Sequence, residues 1–247
     1  MPTSASTCAQ RPPAGSAGFS LLELMIVTAI TAVMAMIATP MLATANINSN
    51  ENAAAATLRL IARAQKEVSA AGIDSDLNGN PEFGFLQELS GVRKTRIDTD
   101  GDELADANGP HKLGRVLLSG MLGQVDAWGL GNRSGYVFRV YLPGEDLDWL
   151  REPRPSEGYP PVSGRQATRY WACYAWPAKY GKSGQRAFFV NQAGLVLACD
   201  NAETCYEGIV NDPPATAALA ADGSGKMNAP VAIDTIGEDG NEWKVIE

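Results

Sequence analysis

Two short segments concentrate carboxylates at spacings that suit a hard cation. Oxygen ligands at alternating positions let one turn of chain surround calcium. The twelfth position of each segment is Phe85 or Gly109 instead of the bidentate Glu of a complete calcium loop. We therefore expect calcium in one or both segments, the alternative being ordinary turns rich in Asp, Asn and Gly. The candidate ligands are Asp74, Asp76 and Asn78 in acidic loop 1 (residues 74–79), and Asp98, Asp100, Asp102 and Asp106 in acidic loop 2 (residues 98–106).

Motifs for catalysis are missing from the sequence. The single histidine, His111, leaves no histidine pair for a metal and stands beside Pro110 in a predicted loop. The segment Gly181-Lys182-Ser183 resembles the end of a phosphate-binding loop, but the upstream glycine that such a loop needs is Trp176. The sequence therefore gives no support for an enzyme.

Composition indicates a globular protein that does not bind nucleic acid. The chain has 247 residues, of which 45% are hydrophobic and 19% charged, and its net charge is −8. This size suits one large domain or two small ones. A general nucleic-acid binder needs a basic surface to displace counterions from phosphates, and no basic cluster occurs here.

An apolar run from Phe19 to Ala45 carries one charge, Glu23, in 27 residues. As a helix it would be about 40 Å long, enough to cross a bilayer. It is about twice as long as the apolar part of a secretory signal, although Ala43-Thr44-Ala45 offers a cleavage site. A plain anchor fits the length but does not explain a carboxylate near its start, where charge is costly. The run is therefore predicted to be a membrane segment with a functional glutamate.

The residues Gly18-Phe19-Ser20-Leu21-Leu22-Glu23-Leu24 resemble the processing and assembly motif of type IV prepilins and of the pseudopilins of type II secretion. The resemblance implies cleavage after Gly18, methylation of the new amine of Phe19, and a role in assembly for Glu23. Pro40 then falls where the family commonly has a helix-kinking proline. Only Arg11 precedes the glycine as a basic residue, whereas family leaders usually carry basic residues closer to it.

The same resemblance implies partners and a location. These are a prepilin peptidase and methyltransferase, other pilin or pseudopilin subunits, an inner-membrane assembly platform, and membrane lipid. The chain would cross the bacterial inner membrane once, with its N-terminus in the cytoplasm and its head in the periplasm or outside the cell, before joining a pilus or pseudopilus. The alternative is a membrane-anchored or secreted extracytoplasmic binding module that forms no filament.

The expected fold class is α+β and pilin-like, with one long N-terminal helix packed on an antiparallel sheet. The predicted divisions are a leader (1–18), the transmembrane part of the helix (19–45), its amphipathic part (46–72) and the head (73–247). Apolar residues recur every three or four positions through Val68, with Gln65 as an exception, and Gly72 is the predicted stop. Candidate strands are 113–118, 135–142, 168–176, 186–192, 195–199 and 242–246, and residues 143–165 and 211–230 are predicted surface loops.

Three cysteines would remain after removal of the leader, and an extracytoplasmic head permits disulfides. Cys199 and Cys205 would close a small loop, and this pair is the one we expect. The alternative joins Cys173 to Cys199 across neighbouring strands. Three thiols cannot all pair within one chain.

Overall fold

The structure is a computed structural model that describes residues 18–221 and 224–246. The side chains of residues 38, 39 and 71 are not described. Residues 1–17 of the predicted leader lie outside the described part of the chain. Two compact units are present, the first ending at Leu42 and the second beginning at Ala43.

The long helix α1 (Leu21–Ala71) confirms the predicted N-terminal helix. As far as Leu42, every described side chain of α1 is exposed. Beyond Ala43 a stripe spaced by three and four residues is buried in the head, as the amphipathic pattern predicts. Gly72 follows the helix, and a Cβ there would lie only 2.2 Å from Val68 Cγ2, so a larger residue does not fit. The buried stripe comprises Ala54, Leu58, Ile61, Ala64 and Val68.

An eight-stranded antiparallel sheet forms the centre of the second unit. The strands are β4 (Gly131–Arg133), β5 (Tyr136–Pro143), β6 (Trp149–Arg151), β8 (Ala172–Pro177), β9 (Ala187–Asn191), β10 (Leu197–Cys199), β11 (Thr235–Ile236) and β12 (Glu242–Val245). Their order in the sheet is β11-β12-β10-β9-β8-β5-β4, and β6 also pairs with β5. This architecture confirms the α+β, pilin-like fold.

The sheet is buried on both faces, and successive side chains of each strand point alternately into the two cores. On β5, Phe138 and Val140 join the core that also contains the buried stripe of α1. Val137 and Tyr141 point to the opposite face and join a second core with Trp243. Almost every residue of the central strands is therefore apolar.

The prediction that residues 211–230 form a surface loop is wrong for the central part of this segment. Ala217, Ala218 and Leu219 are almost fully buried, and the first two belong to the second core. This segment covers the sheet face opposite α1, because the aromatic side chains on that face need an apolar cover. The other predicted loop, 143–165, contains two short strands, β6 and β7 (Val162–Ser163).

The predicted strand 113–118 is also absent. Residues 113–118 instead lie beside the short helix α2 (Leu86–Leu89), where the backbone N–H groups of Leu117 and Leu118 both donate to Leu89 O. The run has no strand partner, and Val116 is exposed. The remaining small elements are β1 (Arg96–Ile97), β2 (Leu104–Ala105), β3 (Ala107–Asn108), α3 (Gly120–Gly123) and α4 (Gly164–Ala167); β1 pairs with β3, and β2 with β7.

Candidate functional site

The predicted cleavage position lies just outside helix α1. Gly18, Phe19 and Ser20 precede the helix and are exposed, and Phe19 retains 80% of its accessible surface. Ser20 begins the helical hydrogen bonds, since its Oγ accepts from Leu22 N at 3.3 Å and its carbonyl accepts from Leu24 N at 3.1 Å. The Gly18–Phe19 peptide bond is therefore in a non-helical, accessible segment.

No steric clash within the described residues requires glycine at position 18. A Cβ built there meets no atom of residues 18–221 and 224–246 within 4 Å. Glycine is normally retained where a side chain would clash or where φ is positive. The first condition is not met at Gly18 within the described part of the chain, so a steric clash there does not account for the glycine.

Glu23 stands in the first turn of α1, four residues after Phe19. If cleavage lets the helix extend back to Phe19, residues at this spacing become neighbours on one helix face. Within residues 18–221 and 224–246, Glu23 makes no ion pair. A free amine at Phe19 would place a cation within one turn of this carboxylate.

The helix around this position is apolar on all sides. By length and composition, α1 includes a segment able to cross a membrane, and the most apolar part of it is not buried. Leu21, Met34 and Met36 each keep about two thirds or more of their surface exposed. Pro40 lies inside the helix as predicted, and its missing N–H removes one donor from the helical ladder.

Acidic loop 1 is organised by its own side chains. Asp74 accepts hydrogen bonds from Asn78 N at 3.0 Å and Gly79 N at 2.9 Å. Asp76 accepts from Asn78 N and, at 2.6 Å, from Asn78 Nδ2. Burial raises the pKa of Asp76, opposed by the hydrogen bond from Asn78. Carboxylate oxygens of Asp74, Asp76 and Glu82 lie within 4.8 Å of one another.

Glu82 is a member of this cluster that sequence reasoning missed, and both of its carboxylate oxygens already have partners. Its Oε1 accepts from Ser75 N at 2.9 Å and from Ser75 Oγ at 2.6 Å, while Oε2 pairs with Arg96 at 2.7 Å. All its oxygens thus have partners inside the protein. The cluster of Asp74, Asp76 and Glu82 should therefore bind a cation less strongly than three unpaired carboxylates would.

Acidic loop 2 brings three of its four predicted ligands together. Carboxylate oxygens of Asp98, Asp100 and Asp102 lie within 4.8 Å of one another, and Asp106 is not part of the cluster. A hydrogen bond from Gly101 N lowers the pKa of Asp98. The charge of Asp102 raises the pKa of Asp100. Mutual repulsion of this kind would be relieved by a bound cation, and the oxygen donors match calcium chemistry.

The two acidic loops are joined through a buried arginine. Arg96, two residues before loop 2, is fully buried and pairs with Glu82 at 2.7 Å and with Glu88 at 2.6 Å. Ser75 O also accepts from Asp98 N at 2.9 Å. The pairing raises the pKa of Arg96 although burial acts in the opposite direction. These bonds hold the two acidic loops, residues 74–79 and 98–106, in one structural unit.

The predicted disulfide between Cys199 and Cys205 is not formed. All three described cysteines are free. Cys199 is buried in the second core, whereas Cys205 is exposed and donates its thiol hydrogen bond to Ala202 O. The alternative Cys173–Cys199 pair is wrong as well, because β9 separates their strands and the two side chains lie on opposite sheet faces. Burial raises the pKa of Cys199 to about 12.

Comparison with known proteins gives two family matches. A family model described as the prokaryotic N-terminal methylation motif matches residues 14–39, which is the type IV prepilin and pseudopilin signal. A second model, described as protein of unknown function (DUF2950), matches residues 37–207, more than half of the chain. No curated protein and no solved structure matches significantly. The chain belongs to the DUF2950 family of proteins of unknown function, and it begins with the signal of a type IV prepilin or pseudopilin.

Proposed function

We propose that this protein is a structural subunit of a type IV pilus or of a type II secretion pseudopilus. A prepilin peptidase cuts after Gly18, and the amine of Phe19 is methylated. The apolar part of α1 first holds the subunit in the inner membrane and then packs with other subunits. The sheet-containing head remains on the periplasmic or extracellular side.

The observation that carries this proposal is the setting of Gly18. A Cβ at position 18 would meet no atom of the described residues, yet the residue is glycine, and it stands at an exposed, non-helical bond two residues before the helix-initiating Ser20. A peptidase that needs an extended, unhindered substrate accounts for both features. The match to the methylation motif supports the same assignment.

Glu23 gives the cleaved product a means of assembly. Cleavage creates a cation at Phe19 in apolar surroundings, where an unpaired charge is costly. The Glu23 carboxylate neutralises this amine within the subunit or in a neighbour. Pairing between subunits fixes their axial register, because a shifted neighbour leaves both charges unpaired. Pro40 has an accessory role, because its missing N–H allows the helix to kink farther along the apolar run.

Extraction from the membrane needs partners that this chain does not contain. The sequence lacks a nucleotide-binding motif, so the energy comes from an inner-membrane assembly platform. We place the N-terminus in the cytoplasm, with one crossing of the lipid bilayer. Calcium at acidic loop 2, and at acidic loop 1, stays a prediction.

Mass spectrometry of the mature N-terminus tests the proposal in cells that contain a prepilin peptidase. The expected product begins with N-methylated Phe19, and Gly18→Val retains the leader. Ser16→Ala is the matched control, because it changes a leader residue outside the cleaved bond and should be processed normally. A wild-type chain beginning at Asn46 supports ordinary secretion of a binding module, and an intact Met1 supports a plain anchor; either result contradicts the proposal.

A further inference from the structure

A groove of about 470 Å³ lies between helix α1 and the turn that joins β9 to β10. Its charged residues are Arg63 and Lys66, both exposed and three residues apart on α1. None of the described residues that line it is acidic. Phe83 and Trp171 also line it but are almost fully buried, so a partner meets mainly the polar groups. This cationic groove stands out on a chain whose net charge is −8.

The two cations of the groove lack ion-pair partners within residues 18–221 and 224–246. Glu67, the next residue on α1, pairs with Arg115 instead. Asn191 also lines the groove, and because its Oδ1 accepts from the Ala193 N–H at 3.0 Å, its amide contributes a donor. Positive charges and N–H donors together recognise carboxylates. The groove therefore suits an acidic partner.

Acidic loop 2 has the complementary properties. Residues 98–106 contain no Lys or Arg, and within the described part of the chain none of their carboxylates belongs to an ion pair. Asp100 and Asp102 are exposed, and the charge of Asp102 raises the pKa of Asp100. This repulsion would be relieved by cations supplied from outside the loop.

The spacing of the charges also matches. Carboxylate oxygens of Asp98, Asp100 and Asp102 lie within 4.8 Å of one another. Residues three apart on a helix, such as Arg63 and Lys66, have Cβ atoms about 5–6 Å apart. Two long cationic side chains at this separation can reach two neighbouring carboxylates at once.

We propose that acidic loop 2 of one copy of this chain docks in the cationic groove of a second copy. The groove and the loop are different surfaces of the head, so the contact is heterologous. Contacts of this kind close into rings or continue as helical filaments. The inference therefore rests on the proposed function as a filament subunit, and it adds a contact between heads to the packing of the apolar helices. Complementary charges would fix the register of that contact.

Loop 2 fits this role because its backbone already holds it in shape. Asp98 accepts hydrogen bonds from Gly101 N at 2.8 Å and from Glu103 N at 3.0 Å, so docking orders little additional chain. A small free anion would meet only two solvent-exposed cations, and isolated pairs of that kind contribute little in water. A preformed set of several carboxylates gains from both cations together.

Other acidic segments of the head match the groove less well. In acidic loop 1, Glu82 is buried and pairs with Arg96. Asp148, beyond β5, pairs with Lys226 at 2.6 Å. Their charges are thus partly neutralised within the chain, whereas those of loop 2 are not.

Co-isolation of two differently tagged full-length chains, in a nonionic detergent, tests the inference. The groove variant is Arg63→Glu with Lys66→Glu, and the loop variant is Asp100→Lys with Asp102→Lys. Each variant should associate with itself about tenfold or more weakly than the wild type does, because like charges then meet. A mixture of the two should regain association, because the reversed loop meets the reversed groove. All buffers contain a chelator, since calcium on loop 2 would compete for the same carboxylates.

Matched controls separate the contact from a change of net charge. Arg133→Glu with Lys182→Glu, and Glu145→Lys with Asp146→Lys, reverse exposed charges outside the groove and the loop. Both should associate as the wild type does. Near-ultraviolet circular dichroism checks the fold of each variant. If the loop variant unfolds, the comparison of the groove variant with its control still decides, because Arg63 and Lys66 are exposed.

Three results would overturn the proposal. These are a groove variant that associates as its control does, folded variants whose mixture regains no association, and a wild type that binds an oligoaspartate peptide but not a second copy. The last result would assign the groove to a different acidic protein. None of these measurements depends on cleavage after Gly18, so mass spectrometry of the mature N-terminus tests the proposed function separately.

Discussion

Gln65 and Gly84 are joined by two hydrogen bonds that run in opposite directions. Gln65 Nε2 donates to Gly84 O at 2.7 Å, and Gly84 N donates to Gln65 Oε1 at 2.9 Å. Gln65 is fully buried in the otherwise apolar stripe of α1. Its amide thus serves as the partner that the backbone of Gly84 would have in a sheet, and it holds the segment before α2 against the helix.

Replacing Gln65 with Leu should destabilise the head by about 2–4 kcal/mol. The substitution improves the apolar stripe, but it leaves a buried N–H and a buried C=O of Gly84 without partners, and each costs about 1–3 kcal/mol. Thermal unfolding of the full chain in detergent, followed by near-ultraviolet circular dichroism, measures the change. Gln192→Leu, at an exposed position, is the control and should melt as the wild type does. A more stable Gln65→Leu chain would contradict this account.

Glu152 predicts a pH dependence of head stability. Its carboxylate is fully buried and accepts hydrogen bonds from Leu86 N at 2.8 Å, Gln87 N at 3.1 Å and Gln87 Nε2 at 3.2 Å. Burial raises its pKa to about 8 against these bonds, and the negative charge of Glu88 raises it further. Between about pH 4.5 and pH 8, Glu152 is therefore protonated in the folded head and ionised in the unfolded chain, where its pKa is near 4.5.

Because the folded state binds more protons, stability should fall as the pH rises from about 4.5 to 8. The slope is at most about 1.4 kcal/mol per pH unit for this one group. Unfolding measured at intervals from pH 5 to 9 should show the fall in the wild type and a flatter curve in Glu152→Gln, which cannot titrate. Glu145→Gln serves as the exposed control. Parallel curves for the wild type and Glu152→Gln would exclude Glu152 as the source.

The sequence was sufficient for the long helix and most of the sheet, for physical reasons that individual elements make plain. An apolar run and an amphipathic run follow one another without a break as far as Gly72, and β5, β8 and β9 are strongly apolar strands. The layer that covers the sheet face opposite α1 was not predicted, although the apolar pattern of these same strands indicated it. A strand such as Tyr136–Pro143, apolar at nearly every position, indicates burial on both faces, and so requires a second covering layer.

Buried polar contacts were less predictable because they join residues 8 to 19 positions apart that lie in different segments of the fold. Arg96, Glu82 and Glu88 look like ordinary surface charges in the sequence, and only the fold brings them together away from solvent. Gln65 did interrupt the apolar stripe, and a polar residue at a buried position always needs a partner. Its identity, the backbone of Gly84, required the structure. The cysteine pairing failed for the same reason, since spacing along the chain does not show which sheet face a thiol occupies.

Calcium should raise the melting temperature of the head through acidic loop 2. A cation among Asp98, Asp100 and Asp102 removes their mutual repulsion, and a ligand that binds only the folded state stabilises it by mass action. Asp100→Asn should lose the calcium response, while Asp106→Asn should keep it, because Asp106 lies outside the cluster. The comparison is made between chelator and millimolar calcium. Identical melting in both conditions would rule out a stabilising calcium ion.

Cys205 should be the reactive thiol of the head. It is exposed, whereas burial raises the pKa of Cys173 and of Cys199 and keeps both as inert thiols. Iodoacetamide added to the native chain in detergent should label Cys205 and leave the other two unmodified until the head is unfolded. Peptide mass spectrometry identifies the labelled positions. Recovery of a peptide that links Cys199 to Cys205 would contradict the free thiols described here.

Glu23→Gln should allow processing and prevent assembly. The cleaved bond lies outside the helix, and within residues 18–221 and 224–246 no hydrogen bond or ion pair joins it to Glu23, so the peptidase product should still begin with N-methylated Phe19. The uncharged amide, however, cannot neutralise the new amine, and a subunit packed among apolar helices would bury that charge unpaired. Electron microscopy and shearing of surface filaments, together with N-terminal mass spectrometry, measure the two steps separately.

Glu67→Gln, which changes a partly exposed carboxylate of α1 beyond the apolar run, is the matched control and should assemble. Normal filaments from Glu23→Gln would show that the carboxylate is not the neutralising partner, and a retained leader would move its role from assembly to processing.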